Sequence, residues 1–336
     1  MQLKIIFMGT PEFGAIILEE LIKGGYPPVL VITAPDKPVG RKQIITPPPV
    51  KISAQKYNIP VLQPEKILNL KSEILNLKPD LIIVAAYGQI LPKEILEIPK
   101  YGCLNVHPSL LPRWRGSSPI QYTILNGDKE TGVTIILMTE KVDQGDIIAI
   151  SKFQITNSKI TYPELLKGLA HKGTKLLCET IPEWVNNEIK PKPQNGLKAT
   201  YTKILKKEDG KIDWKKPAEY IERQIRAFQP WPGSFSEFQL SKRTLFSSPP
   251  SLPSEAQFLN QKFRKLKILK ANVLKQTKNG PFGVPGKTFL ATNDKIAVQT
   301  GKDFLVIEKL QFEGKKPMSS EEFLRGHLKF IGEILK

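Results

Sequence analysis

The sequence predicts an α/β protein with two domains, a doubly wound, mainly parallel sheet followed by a small β-barrel. A length of 336 residues exceeds the usual size of a single domain. In residues 1–188, short apolar runs alternate with segments of helical periodicity, as in parallel sheets. Beyond residue 209, short strand patterns separated by turn residues dominate, as in small barrels.

The first domain begins with an apolar strand, "LKIIFMG" (3–9), which ends in glycine. A helix follows over 13–25, because apolar residues recur at helical spacing until two glycines end it. Residues 28–36 and 79–88 predict two further strands, and 45–64 predict a loop, a short helix and a brief strand.

The same alternation continues with a buried strand at 102–109 and a helix at 118–127. Residues 131–140 and 145–155 predict two successive strands, and a long helix over 162–185 ends the domain. We therefore predict a Rossmann-like sheet with an antiparallel tail.

The second domain follows a polar, basic stretch rich in proline and glycine, which predicts an interdomain linker. We assign 1–188 to the first domain, 189–208 to the linker and 209–336 to the second domain. One helix is predicted at 217–228. The strand patterns after it are 233–240, 265–274, 295–301 and 303–311.

Positive charge is concentrated in the second half of the chain, whose total net charge is +18. Residues 1–188 hold 21 Lys and Arg against 18 Asp and Glu, whereas residues 189–336 hold 29 against 14. This asymmetry favours a polyanionic partner, nucleic acid before membrane, since no basic amphipathic helix is evident. A lysine-rich solvated surface is the alternative.

The two cysteines, Cys103 and Cys178, form no CxxC pair, which argues against a disulfide framework or a zinc site. The N-terminal apolar run lacks the length of a signal peptide, and no run approaches about 18 apolar residues. We expect a cytoplasmic monomer that binds neither metal nor membrane.

The segment "MGTPEFG" (8–14) carries two glycines between the first strand and the first helix. It matches neither G-x-G-x-x-G nor a P-loop. Two interpretations stay open: a tight turn, or a backbone loop that contacts substrate at the carboxyl edge of the sheet.

The strongest catalytic candidate is His107, one of three histidines, at the end of an apolar strand and before a proline. A neutral imidazole there can serve as a general base, and Asn105, on the same strand face, could donate to an oxyanion. The segment "VDQGD" (142–146) offers Asp143 or Asp146 to orient the imidazole. Such a set suits acyl transfer to an amine, although a structural histidine is the alternative.

Several motifs resemble the formyltransferase family that uses 10-formyltetrahydrofolate, and within it the branch that acts on methionyl-tRNA. The matching segments run in order along nearly the whole chain: 8–14, "PDKPVGR" (35–41), "AYGQILP" (86–92), "NVHPSLLPRWRG" (105–116), 142–146, "FQPWPG" (228–233) and "LQFEGKKPM" (310–318). Formyltransferases and hydrolases with small-molecule substrates share the histidine motif, but the basic half argues against them. A non-catalytic RNA-binding protein would not need the Asn/His/Asp set.

The resemblance implies formyl transfer from 10-formyltetrahydrofolate to the α-amine of initiator methionyl-tRNA, with no metal. It assigns catalysis to Asn105, His107 and Asp143, with Asp143 fixing the imidazole tautomer. It assigns folate contacts to Ser109, Leu110, Leu111, Pro112, Tyr87, Gly88 and Ile90.

The resemblance further implies an OB-like C-terminal barrel that holds tRNA. In the first domain, the loop at 36–51 matches a family segment that meets the acceptor end of the tRNA. In this chain "KQII" replaces the glycine and lysine residues that are frequent there. Arg113 and Arg115 could grip phosphates, or could simply be solvated. The predicted tRNA contacts are Arg41, Lys42, Arg113, Arg115, Lys203, Lys206, Lys207, Arg264, Lys265 and Lys267.

Overall fold

A computed structural model of the chain describes residues 3–40, 42–238, 264–276, 283–291 and 295–336. The chain divides into two compact units. Unit 1 comprises 1–123, 128–158 and 163–204, and unit 2 comprises 124–127, 159–162 and 205–336. The main division between Ile204 and Leu205 lies inside the predicted linker 189–208.

Unit 1 is built on a seven-stranded sheet with the order β5-β2-β1-β6-β7-β8-β9. Its strands are β1 (Ile5–Gly9), β2 (Leu30–Ile32), β5 (Val61–Leu62), β6 (Leu81–Ala85), β7 (Cys103–His107), β8 (Glu130–Leu137) and β9 (Ile147–Gln154). A separate exposed hairpin pairs β3 (Lys37–Val39) with β4 (Ile44–Thr46). The sequence predicted only a loop there.

The first five strands in sheet order, from β5 to β7, run parallel to one another, whereas β8 and β9 are antiparallel additions. The parallel strands β1, β6 and β7 are buried along their whole length, as expected of a sheet covered on both faces. The predicted Rossmann-like sheet with an antiparallel tail is confirmed. Its order reverses between β1 and β6, where open α/β sheets bind ligands.

Helices connect these strands and cover the sheet. They are α1 (Glu12–Lys23), α2 (Pro49–Lys56), α3 (Lys71–Leu77), α4 (Lys93–Leu96), α5 (Pro119–Asn126) and α6 (Tyr162–Val185). The helix α1 buries Phe13, Ile17 and Leu21, the apolar stripe that predicted it. The short α3 and α4 were not predicted, because their one or two turns carry little periodic signal.

Unit 2 contains an antiparallel sheet with the order β10-β11-β14-β13-β12, and β15 pairs with β14. Its strands are β10 (Ser234–Phe238), β11 (Arg264–Leu274), β12 (Thr288–Leu290), β13 (Ile296–Gln299), β14 (Phe304–Phe312) and β15 (Met318–Ser319), and its helices are α7 (Ala218–Ala227) and α8 (Ser320–Gly326). Within the described ranges β10 and β12 do not pair, so a separate antiparallel β unit is confirmed but a closed barrel is not.

The sheet of unit 2 packs around a core of aliphatic and aromatic side chains. Phe238 lies edge-on to Phe330 at 5.2 Å, and Phe323 lies edge-on to the same ring at 5.0 Å. Of the helices in the described parts of both units, none has the length and apolar character to cross a membrane.

Candidate active site

A cavity of about 280 Å³ lies at the carboxyl ends of β6 and β7. Its walls are mostly apolar and come from the loop after β6, the end of β7 and the turn between β8 and β9. Asn105, His107 and Asp143 all line it. An apolar cavity with a few convergent polar groups is typical of small-molecule sites.

Asn105 and His107 alternate with buried apolar residues on β7, so both side chains lie on the same face of the strand. They are only 9% and 4% exposed. Asn105 Nδ2 donates to Asp143 Oδ1 at 3.3 Å, and the same oxygen lies 3.6 Å from His107 Nδ1. The structure therefore brings the three predicted catalytic side chains together. Asp146, the alternative to Asp143, does not line the cavity.

The second imidazole nitrogen of His107 contacts the main chain. Nε2 lies 3.0 Å from the carbonyl oxygen of Trp114. A carbonyl oxygen only accepts, so this hydrogen bond requires a proton on Nε2 and leaves Nδ1 as the nitrogen that can gain or lose one. The sequence predicted that Asp143 fixes the tautomer; in the structure the Trp114 carbonyl makes the closer contact.

Asp143 lies on a tight turn with its backbone in the left-handed region, at a φ of 52°. Its second carboxylate oxygen, Oδ2, accepts from the backbone amide of Gly116 at 2.7 Å. Two residues on, a Cβ atom at Gly145 would lie 1.7 Å from the carbonyl oxygen of Leu137. The turn therefore needs glycine at 145, and it presents the Asp143 carboxylate to β7 and to the loop after it.

The turn is also held by Gln194, whose amide nitrogen donates to the carbonyl oxygens of Asp143 at 2.9 Å and Gly145 at 2.7 Å. The Gln194 side-chain oxygen accepts from Arg115 Nε at 3.1 Å and Nη2 at 2.8 Å. Gln194 was not among the predicted site residues because it lies in the "PKPQNG" stretch, whose composition predicted a linker.

The four predicted folate contacts at 109–112 lie outside the lining of this cavity. Ser109 is buried and its hydroxyl donates to the carbonyl oxygen of Arg113 at 2.6 Å. Thr134 Oγ1 donates to the carbonyl oxygen of Ser109 and accepts from the amide of Leu111. These contacts shape the loop, and the folate contacts of Ser109, Leu110, Leu111 and Pro112 stay predictions.

The loop after β6 supplies the other three predicted folate contacts, and all of them line the cavity: Tyr87, Gly88 and Ile90. Gly88 has a φ of 90°, a conformation that favours glycine. The Tyr87 ring is 3% exposed, and burial raises the pKa of its hydroxyl to about 12, so the phenol stays protonated. Ile90 is two-thirds exposed and forms part of the mouth.

Both predicted phosphate-binding arginines after β7 have partners in unit 1. Arg113 Nη2 and Nε donate to the two Asp128 carboxylate oxygens at 2.7 and 3.2 Å, and Trp114 Nε1 donates to one of them at 2.9 Å. Arg115 is 4% exposed, and beside its bonds to Gln194 it donates to Tyr201 Oη at 3.3 Å. Arg115 is therefore buried and has side-chain partners, and the phosphate contacts of both arginines stay predictions.

The glycines of "MGTPEFG" are explained by packing. A Cβ atom would lie 2.8 Å from the Ala85 carbonyl oxygen at Gly9 and 2.7 Å from it at Gly14. No residue of this segment lines the cavity. Of the two interpretations, the structure favours the tight turn.

The remaining predicted tRNA contacts lie on both units. Lys42 is exposed beside the β3–β4 hairpin, and Arg41 lies outside the described residues. Lys203, Lys206, Lys207 and Lys267 are exposed, whereas Arg264 and Lys265 are partly buried. Lys265 Nζ lies 4.7 Å from the centre of the Phe235 ring. Across the described ranges no three His, Cys, Asp or Glu side chains converge on a metal position.

Comparison with known families and sequences identifies this arrangement. The formyl transferase family model matches residues 3–181, and the model of the formyl transferase C-terminal domain matches 204–328. The methionyl-tRNA formyltransferase of Bacillus velezensis is 43% identical over 336 residues, 99% of this chain and 97% of that protein. That of Alkaliphilus oremlandii is 44% identical over 335 residues, 99% of both chains.

Two solved structures share the fold at low sequence identity. HypX from Aquifex aeolicus in complex with tetrahydrofolic acid superposes with a TM-score of 0.61 at 16% identity, over 98% of this chain and 48% of HypX, so the chain spans about half the length of HypX. The N-formyltransferase from Helicobacter canadensis, in complex with folinic acid and dTDP-3-aminofucose, has a TM-score of 0.59 at 21% identity, over 93% of this chain and 100% of that one. By sequence, fold and the Asn105–His107–Asp143 cavity, this chain belongs to the formyl transferase family, in the branch of the methionyl-tRNA formyltransferases.

Proposed function

We propose that this chain transfers the formyl group of 10-formyltetrahydrofolate to the α-amine of initiator methionyl-tRNA, giving formylmethionyl-tRNA for translation initiation in the cytoplasm. The observation that carries the proposal is the set of Asn105, His107 and Asp143 at one cavity, in a chain more than 40% identical to methionyl-tRNA formyltransferases along its whole length.

In the proposed reaction the neutral α-amine bonds to the formyl carbon as it loses a proton. The bond from that carbon to N10 of the folate breaks, and N10 takes up a proton, so no metal or redox partner is needed for balance. His107 Nδ1 accepts the proton from the amine, since Nε2 already carries one for the Trp114 carbonyl. The resulting imidazolium faces Asp143 Oδ1, 3.6 Å from Nδ1, and can return the proton to N10.

Asn105 has a second role in this proposal. One of its two amide protons is directed to Asp143 Oδ1, at a nitrogen–oxygen distance of 3.3 Å. The other is available for the formyl oxygen, which becomes negatively charged as the amine adds. Such a donor, held in place in a buried site, stabilises the developing charge more than water would.

The apolar part of the cavity suits the flat ring system of the folate. Tyr87, Ile90, Ile136, Met138 and Val142 form its apolar walls. The main chain at Gly88 adopts a φ of 90° there, and a Cβ atom at this residue would meet no other atom. This leaves room for a ring to approach the backbone.

For the second substrate we propose that unit 2 is an OB-like barrel that holds the tRNA. The net charge of residues 189–336, with 29 Lys and Arg against 14 Asp and Glu, supports this proposal. Such contacts with phosphates are largely independent of base sequence, so they hold the tRNA without selecting it. Exposed Lys206, Lys207 and Lys267 are candidates for them.

The direct test is formyl transfer from 10-formyltetrahydrofolate to charged methionyl-tRNA, run beside uncharged tRNA and free methionine. Formylated product on the charged tRNA alone is the expected result. Consumption of the formyl donor without labelled tRNA would contradict the proposed acceptor and indicate a small amine or water instead.

A further inference from the structure

We propose that Gln194 is a positioning residue for catalysis, which holds the Asp143 turn in the geometry that His107 requires. The inference rests on the proposed function and deepens it. Gln194 touches neither the cavity nor the three catalytic side chains' reacting atoms; it acts on Asp143 through the main chain.

The Asp143 turn needs support from outside the turn. Its φ of 52° lies in a region that non-glycine residues rarely adopt, although aspartate tolerates it better than most. The turn directs two carbonyl groups, at Asp143 and at Gly145 two residues later, toward the same neighbour, Gln194. Both accept from the single amide nitrogen of Gln194, at 2.9 and 2.7 Å, and this bracket fixes the turn.

Gln194 is itself held in place by Arg115, on the side away from the turn. Arg115 directs Nε and Nη2 at the Gln194 side-chain oxygen, and this settles which end of the amide faces the turn. Arg115 is buried, and the guanidinium only donates, so a carbonyl oxygen must face it. The amide protons of Gln194 therefore point to Asp143 and Gly145.

The chain segment around Gln194 makes hydrogen bonds on both sides of the cavity. We call residues 192–202 the strap. Lys192 exchanges two backbone hydrogen bonds with Ile147, at the start of β9, and Thr200 and Thr202 bond to the main chain of Arg115. Next to Arg115, the Gly116 amide donates to Asp143 Oδ2. The strap thus fixes the Asp143 carboxylate against the end of the loop that carries the Trp114 carbonyl.

Gln194 is therefore expected to affect the catalytic geometry more than substrate binding. The 3.6 Å separation between His107 Nδ1 and Asp143 Oδ1 and the 3.3 Å contact from Asn105 both depend on where the turn holds one carboxylate. Displacement of a catalytic group by about 1 Å can cost roughly 100-fold in rate. Most of the groups proposed to bind the folate, on the loop after β6 and on β8, and the basic groups proposed to bind tRNA lie on other segments than this turn.

Two substitutions separate positioning from packing. Gln194→Glu keeps an acceptor for Arg115 but removes both protons that bracket the turn. Gln194→Met is neutral, is similar in size and removes both sets of contacts. We expect kcat for formyl transfer to fall by about 10- to 100-fold in each variant, with the KM values for folate and tRNA within about twofold of the parent. Gln194→Glu should still fold, because the buried arginine keeps its acceptor, although the loss of two hydrogen bonds should lower its thermal midpoint.

Matched controls are Gln55→Glu and Gln55→Met on the exposed side of α2, which should keep the kcat of the parent. Unchanged kcat in Gln194→Glu would overturn the inference, since a merely structural glutamine needs only to satisfy Arg115. If Gln194→Glu is slow but folded Gln194→Met is as fast as the parent, the added charge is the cause and the inference also fails. Absence of transfer by the parent would instead refute the proposed function.

Discussion

At the scale of single residues, the site depends on which proton each nitrogen of His107 carries. The Trp114 carbonyl accepts from Nε2 at 3.0 Å, so Nδ1 is the nitrogen directed to Asp143 and available for proton transfer. Both neighbours of His107 come from other segments of the chain: Trp114 lies on the loop seven residues on, and Asp143 lies on the turn after β8.

Replacing His107 by glutamine should lower kcat by about 10²- to 10⁴-fold, the usual contribution of a positioned general base. Binding of tRNA should be nearly unchanged, because the basic residues that attract it lie elsewhere. Single-turnover formylation and filter binding measure the two effects separately. His171→Gln is the control, since its ring is largely exposed and pairs with Glu20 on the surface of unit 1. Comparable turnover in His107→Gln and the parent would exclude the proposed role.

His327 predicts a pH dependence of stability in unit 2. Its ring lies 4.6 Å from the ring of Phe323 and 5.5 Å from that of Phe312. Burial, and secondly the charge of Arg264, hold the pKa of this imidazole below its ordinary value of 6.5. The unfolded chain therefore binds the proton more readily, so the contribution to stability is complete above pH 6.5 and is lost as the pH falls below it.

The test compares urea unfolding of the parent and of His327→Phe at pH 7.5 and pH 5. The parent should lose more stability on acidification than the variant, which cannot take up this proton. Equal losses in the two proteins would show that His327 titrates alike in both states.

At the scale of elements, the turn between β8 and β9 carries both the Asp143 carboxylate and Gly145, a glycine that leaves no room for a side chain. Gly145→Ala places a Cβ atom where the Leu137 carbonyl oxygen lies, so the turn must open. We expect a loss of about 1–3 kcal/mol in the free energy of unfolding, as for other overpacked positions, and a fall in kcat as Asp143 moves.

Gly196→Ala is the matched control for this substitution. It lies in the strap, a Cβ atom there would meet nothing, and its φ is not in the left-handed region. Alanine should leave activity unchanged and stabilise by up to about 1 kcal/mol through the unfolded state. Differential scanning calorimetry with formylation assays measures both. A Gly145→Ala protein with parental stability and kcat would contradict the account of the turn.

The cap of α8 offers a second prediction at this scale. Ser319 Oγ accepts from the Glu322 amide at 3.2 Å, and the Glu322 carboxylate accepts from the Ser319 amide at 2.8 Å. Ser319→Ala removes one half of this capping box and should cost about 1 kcal/mol. Chemical denaturation of the whole chain measures it, and Ser158→Ala, at an exposed serine of unit 1, is the comparison. Equal midpoints for Ser319→Ala and the parent would count against the cap.

Prediction from sequence succeeded best where a pattern is periodic. The buried strands ending at Gly9, Ala85 and His107 follow from apolar runs, and the parallel order follows from their alternation with helices. The exposed β3–β4 hairpin was missed, because its strands bury no face and leave no alternation.

The site was predicted in part for a similar reason. Asn105, His107 and Asp143 stand in recognisable motifs, but Gln194 and the Trp114 carbonyl do not. Gln194 lies in a polar stretch whose contacts are made to main-chain groups far away in sequence, and a carbonyl leaves no mark on residue type. Ser109 and Leu111 are buried in the loop they shape, and their folate contacts stay predictions.

At the scale of the whole molecule, the two halves of the chain differ in net charge. The excess of positive charge in the second half predicts that tRNA binding depends on salt. Affinity should fall by at least about tenfold between roughly 50 and 200 mM salt, because phosphate contacts release counterions. Lys267→Gln on β11 should weaken binding and make the slope of log affinity against log salt shallower by about 1 if this residue contacts a phosphate.

The control is Lys175→Gln on α6, where the lysine is exposed beside Glu179 in unit 1. It should leave both the affinity and the slope unchanged. Tight binding that is insensitive to salt would contradict an electrostatic role of the second half.

The strap also decides where this chain could recombine with a relative. The periodic pattern ends at residue 188, but a crossover there would separate the strap from the residues it contacts. Asp143 and Arg115 would then come from one parent and Gln194 from the other. A crossover after Ile204 leaves them together. If C-terminal halves were exchanged in evolution, we expect the junctions near residues 204–205. The N-terminal segment that is inherited as one piece is then longer than the predicted first domain, 1–188.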